Sequence, residues 1–208
     1  MKNRLLLILV NVIGLSSFSQ QAFASGFGFE GGMSLGQVAV APATTATLTN
    51  RSGYAGGAFF DLSLTNWLSI GPEVLWVQKG GKISVLGVES TYRFDYIDVP
   101  LLMKIRLGGQ GMGFYLYGGA AYGFAMARLI DVGALTGLDA TASVKSSDLS
   151  VHAGASIGFM LGKGTEFVLS GRYIMGLQDI DNDGDASDTL KNNAILAMAG
   201  LTFHFGKK

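Results

Sequence analysis

The sequence predicts an all-β chain folded as an eight-stranded, antiparallel, up-and-down transmembrane β-barrel. Three observations predict it. Apolar residues alternate with small or polar ones along several long stretches. The connections between those stretches are alternately short and long. Beyond the leader, no apolar run is long enough for a membrane helix. A period of two marks a strand with two different faces, and about 9–11 tilted residues cross a bilayer. A chain that spans without helices must do so as a barrel, because lipid leaves unpaired backbone groups unsatisfied.

A secretory leader comes first. Lys2 and Arg4 form a basic start, residues 5–15 are apolar, and Ala22-Phe23-Ala24 is an A-x-A cleavage site. Residues 1–24 are therefore read as signal, cleaved after Ala24, and 25–208 as one barrel domain. Cleavage removes two of the fifteen basic residues and leaves thirteen Lys and Arg against fifteen Asp and Glu. That balance argues against nucleic acid, which binds through basic patches. The absence of cysteine gives no sign of a thiol catalyst, a zinc site or a disulfide framework. Only 14% of residues are charged, against about 25% in soluble domains.

The strands follow in order. The first, 26–37, sets Phe27, Phe29, Met33 and Leu35 against Gly28, Glu30, Gly32 and Ser34. The second, 53–64, carries Leu62 and Leu64 on one face and Asp61 on the other. Thr65-Asn66-Trp67 turns it into the third, 68–79, with Ile70 and Val74 opposed to Glu73. The fourth, 93–107, alternates Val99, Leu101, Met103 and Ile105 with Asp98, Lys104 and Arg106. A glycine-rich turn at 108–113 leads to the fifth, 114–128. The sixth, 148–161, sets Leu149, Val151, Ala153, Ala155, Ile157 and Phe159 against Asp148, Ser150, His152 and Gly154. After the turn 162–165 comes the seventh, 166–178, and the eighth is 194–205. The long connections are 38–52, 80–92, 129–147 and 179–193. Short turns on one side with long loops on the other, and an even strand number, are the habit of outer-membrane barrels.

Alternation alone does not say which face points inward, since a soluble lipocalin-like barrel shares the period. The polar faces of strands one, five and six hold mainly Gly, Ala, Ser and a few charges, a poor exterior in water and a suitable narrow lumen. The apolar face carries no charge and is read as lipid-facing. Phe27, Phe29, Trp67, Phe114, Phe167, Phe203 and Phe205 gather near the short turns, and Tyr54, Trp76, Tyr122, Phe124 and Tyr173 near the long loops. Two such belts match interfacial girdles.

Four motifs follow one another along the chain: Asn66-Trp67-Leu68-Ser69-Ile70-Gly71-Pro72-Glu73-Val74-Leu75-Trp76 with Gln78-Lys79-Gly80, then Tyr96-Ile97-Asp98-Val99-Pro100-Leu101-Leu102-Met103-Lys104, then Tyr115-Leu116-Tyr117-Gly118-Gly119, and last Arg172-Tyr173-Ile174-Met175-Gly176-Leu177. Together they resemble the bacterial outer-membrane β-barrel family labelled PorT-like or porin-family. The resemblance covers nearly all of the mature chain. It implies a barrel similar in size to OmpX and the OmpA membrane domain, placed in the outer membrane. One departure is the end, where Gly206-Lys207-Lys208 follow Phe205 instead of an aromatic terminus read by the assembly machinery.

By parity Glu30, Asp61, Glu73, Asp98, Lys104, Arg106, His152, Arg172 and His204 point into the lumen. Eight strands leave an interior just wide enough for side chains, and charges enclosed there should pair. Glu73 with Lys104 or Arg106 is the expected neighbour pair. The network reads as a plug that fixes packing, or alternatively as the gate of a narrow water path. Asp148, Ser150 and His152 share a face and suggest a hydrolase. Same-face neighbours, however, stand about 6.6 Å apart along a strand, and parity turns these residues away from lipid.

The last long connection places Asp179, Asp181, Asp183 and Asp185 at alternate positions with Gly184 sixth. This matches the first half of a calcium loop, with Leu190 standing where the closing Glu belongs. The alternative is a solvated acidic turn. No other cofactor is indicated. The expectation is a non-enzymatic, monomeric scaffold in contact with outer-membrane lipids and the assembly machinery, with four outer loops free for surface or partner contact. A narrow channel and a lipid-modifying barrel enzyme are the alternatives.

Overall fold

The structure, a computed structural model, describes residues 25–41, 47–85, 87–108, 111–162, 164–182 and 189–205. The leader, the terminal Gly206-Lys207-Lys208, and Asp183 and Asp185 of the acidic loop lie outside the described residues. The strands are β1 (Ser25–Ala41), β2 (Thr47–Ser63), β3 (Leu68–Val85), β4 (Val88–Leu107), β5 (Met112–Val132), β6 (Leu135–Asp139), β7 (Ser147–Met160), β8 (Thr165–Gly176) and β9 (Thr189–Phe205). No helix occurs among the described residues.

All pairings are antiparallel and run β4-β3-β2-β1-β9-β8-β7-β5, and β4 also pairs with β5. Each of these eight strands therefore has a partner along both edges, which satisfies the backbone where lipid cannot. The expected eight are these eight. The ninth, β6, falls inside the connection expected as loop at 129–147. It folds back on the far end of β5 after Gly133, whose φ of 55° suits glycine.

The strands also run further than expected at the long-loop end. β3 and β4 stay paired from Gly80 and Arg93 out to Val85 and Val88, through the segment 80–92 expected as loop. β1 continues to Ala41 and β9 begins at Thr189. Beyond the apolar belt neither face meets lipid, so alternation no longer marks the strand there.

The outward face is the one expected. Phe29, Met33, Val74, Leu101, Met103 and Leu116 are each more than half exposed. At the short-turn end Phe27 stacks on Phe203, with ring centroids 5.2 Å apart, and Phe205 lies against Phe60 at 5.8 Å. At the other end Tyr122 meets Phe124 edge-on at 5.0 Å. The inward face differs from the expected lining of small residues and charges. Towards the long loops it is apolar: Leu75, Val77, Phe94, Tyr96, Ile174 and Leu196 are buried. Val38, Ala140, Val144 and Ile180 pack with them in one cluster. Val144 bridges Asp181, and the Lys145 amide donates to the Ile180 carbonyl at 2.8 Å, so two loops are tied over the barrel mouth.

Candidate functional site

Below that apolar cluster the lumen is charged, in three groups. Nearest the cluster, Lys79 lies 2.9 Å from Asp98 and 3.4 Å from Asp148, with His152 Nε2 3.4 Å from Asp98. In the middle, Arg172 grips Glu73 through Nη1 and Nη2 at 2.9 and 3.0 Å and Glu30 through Nη2 at 2.7 Å. Ser170 also donates to Glu30. Near the short turns, Lys104 pairs with Asp61 at 2.9 Å. There Glu166 takes a hydrogen bond from the Tyr115 hydroxyl at 2.8 Å and lies 2.9 Å from His204 Nε2. The guanidinium of Arg106 lies over the Tyr115 ring. A cavity of about 50 Å³ lies among Asp61, Lys104, Tyr115, Glu166, Arg172 and His204.

One sequence feature makes these contacts possible. Four lumen acids each pass over an inward glycine of the adjacent strand to reach a partner one strand further on. Glu30 passes Gly200 of β9 to Ser170 and Arg172 of β8, and Asp61 passes Gly71 of β3 to Lys104 of β4. Asp98 passes Gly123 of β5 to His152 of β7, and Glu166 passes Gly158 of β7 to Tyr115 of β5. A Cβ on Gly200, Gly71 or Gly123 would come within 2.8, 2.6 or 2.5 Å of the passing side chain, and one on Gly158 closer still. The outward Gly31, Gly56 and Gly171 meet no such obstruction.

The nine residues expected in the lumen are all found along it, but one pairing is corrected. Glu73 pairs with Arg172 across the barrel, not with Lys104 or Arg106. In the β3–β4 register Lys104 faces Ser69 and Leu75 faces Asp98, so Lys104 lies several residues from Glu73, and its acid is Asp61. Sequence reading also missed Lys79, fully buried, and Glu166, 2% exposed. Lys79 is the last residue of the expected third strand and Glu166 the first of the expected seventh, and Lys79 shares the parity of Glu73.

Ser150 and His152 are fully buried and not joined, since the Ser150 hydroxyl has no hydrogen-bond partner. In the acidic loop, Asp179 Oδ1 accepts from the amides of Leu190 and Asp181 at 2.8 and 3.1 Å, and Oδ2 lies 3.4 Å from Lys145. Partial burial opposes its charge, but the two amides and Lys145 outweigh that and hold the carboxyl below the ordinary range. Asp179 thus ties a loop together. Among the described residues no three His, Asp or Glu side chains converge as a metal-binding group.

A profile of the outer membrane protein β-barrel domain matches residues 18–182. No curated protein matches the sequence. Among solved structures, Neisserial surface protein A is similar with a TM-score of 0.52 at 13% identity, over 88% of this chain and 99% of that one. The outer membrane protease OmpT of Escherichia coli gives 0.53 at 10% identity, over 91% of this chain and 99% of that one. Likeness at such identities is likeness of fold.

Proposed function

We propose, from the premise that this chain belongs to the outer membrane protein β-barrel domain family, that it is a sealed outer-membrane scaffold whose work is done by its outer loops. The observation that carries this reading is the apolar cluster at the long-loop end. Val38, Phe94, Val144 and Ile180 are each at most 2% exposed, directly above a lumen packed with paired charges. A water path would have to cross both. An eight-stranded lumen has little room for one. What remains for contact is the outer rim: the extended β3–β4 hairpin, the β5–β6 hairpin, and the loop braced by Asp179 and Lys145. Loops carried on a rigid frame are the usual place for recognition, and lipid headgroups, surfaces and partner proteins are the contacts open to them.

Recording current from the mature barrel in a planar bilayer tests the reading. A silent membrane is expected, with folding verified by a heat-dependent gel shift. Discrete reproducible steps would favour the narrow channel instead. For that alternative, the cavity beside Asp61, Lys104 and His204 would be the inner vestibule.

A further inference from the structure

The outward face of the barrel is not evenly ridged. In one row Leu107, Phe114, Ile157 and Leu169 stand side by side on β4, β5, β7 and β8, all large. In the next row Leu116 of β5 is followed by Ala155 of β7 and Gly171 of β8. The step down from Leu116 to Ala155 and Gly171 leaves an open groove of about 630 Å³ in this part of the surface. A Cβ on Gly171 would meet nothing within 4 Å, so the space begins at the backbone itself.

The groove is apolar. Tyr115 and Ser170 border it, but their side chains turn into the lumen, to Glu166 and Glu30. Among the described residues no charged side chain lines it. It rises from the short-turn aromatic belt at Phe114 into the hydrocarbon layer and stops short of Tyr173, two residues beyond Gly171. It is therefore continuous with the lipid-facing surface. Short turns are periplasmic in such barrels, so a chain entering beside Phe114 comes from the periplasmic leaflet.

An unfilled depression lacks partner atoms on its open side and forfeits their dispersion contacts. In lipid, packing rather than water exclusion draws one apolar group to another, so the occupant is the one whose shape fits. A second barrel presents a convex face, which would touch the ridges at Leu116 and Leu169 and leave the floor bare. A methylene chain is narrow and flexible, is supplied by the surrounding leaflet, and can follow the floor from Phe114 to Gly171.

We propose that this groove retains one phospholipid of the periplasmic leaflet, its acyl chain lying over Ala155 and Gly171 between Leu116 and Leu169. The assignment rests on the membrane-spanning fold and its lipid-facing surface, and is independent of what the outer loops contact.

The test purifies the mature barrel from membranes in a mild non-ionic detergent and counts bound lipid by native mass spectrometry. One phospholipid retained per barrel is expected. Gly171→Leu, whose side chain would occupy the groove, should lose it, while Ala58→Leu on the outward face of β2 keeps it. A barrel without lipid overturns the proposal, as does equal retention in Gly171→Leu. A pair of barrels held together without lipid, and separated by Gly171→Leu, assigns the groove to a second copy and also overturns it. Should Gly171→Leu fail the gel-shift test for folding, the unaltered barrel is stripped of lipid and titrated with palmitoyl-oleoyl phosphatidylethanolamine. Binding that saturates at one molecule per barrel supports the site, and uptake with no plateau at one refutes it.

Discussion

Asp61 on β2 reaches Lys104 on β4, oxygen to nitrogen 2.9 Å, by passing over Gly71 of the strand between them. The same arrangement recurs at Gly123, Gly158 and Gly200, so at these four positions a Cβ would meet a neighbour's side chain, and at Gly71 and Gly200 the adjacent backbone carbonyl as well. Gly71→Ala should therefore destabilise the barrel by about 1–3 kcal/mol, the usual cost of overpacking. Gly171→Ala, on the open outward face, should be close to neutral. Equilibrium urea unfolding of the two variants checks the contrast; equal losses would remove the glycine argument.

Arg172 satisfies Glu30 and Glu73 together, and all three side chains are nearly solvent-free. Removing the cation alone strands two buried carboxylates. Arg172→Met is expected to lose about 3–5 kcal/mol, and most of that should return when Glu30→Gln and Glu73→Leu are added. The same unfolding measurement reads both. A triple variant no more stable than the single one would mean that the pairing contributes little.

Phe94 is fully buried under the outer loops. Phe94→Ala should cost about 3–5 kcal/mol through lost burial and the cavity left behind. It should also raise amide exchange at Val144 and Ile180 before it affects the membrane strands. Uniform exchange throughout would show that the cluster is not a separate cap.

The Asp179 carboxyl is held below its ordinary value by the Leu190 and Asp181 amides and by Lys145. A depressed acid contributes stability above its unfolded pKa, about 3.9, and loses it as pH falls through the lower folded value. The Leu190 amide should thus become less protected from exchange below about pH 4. Asp179→Asn should show weak protection with no acid step of this kind. Protection that stays constant through acidification would place the brace elsewhere.

Strand faces were legible because membrane strands have to alternate. Phe27, Met33, Val74 and Leu101 all point where parity put them. What alternation could not reveal lies at the ends and across the lumen. Lys79 and Glu166 obey parity but stand beyond the apolar belt, where the pattern fades into turns. The apolar cap was hidden because Val74-Leu75-Trp76-Val77 is apolar on both faces, one lipid-facing and one buried. The partner of Glu73 was out of reach for a different reason. Arg172 is brought to it by the curvature of eight strands, which no two-strand register encodes.

In the proposed sealed scaffold, the outer apolar cluster closes the lumen independently of the charges beneath it. Planar-bilayer recording of Arg172→Ala, restricted to protein that passes the gel-shift test for folding, addresses this most directly. With Val38, Phe94, Val144 and Ile180 still packed over the mouth, the variant should be as silent as the unaltered barrel. Discrete current steps from Arg172→Ala would rule out an apolar seal and make the charge network the gate.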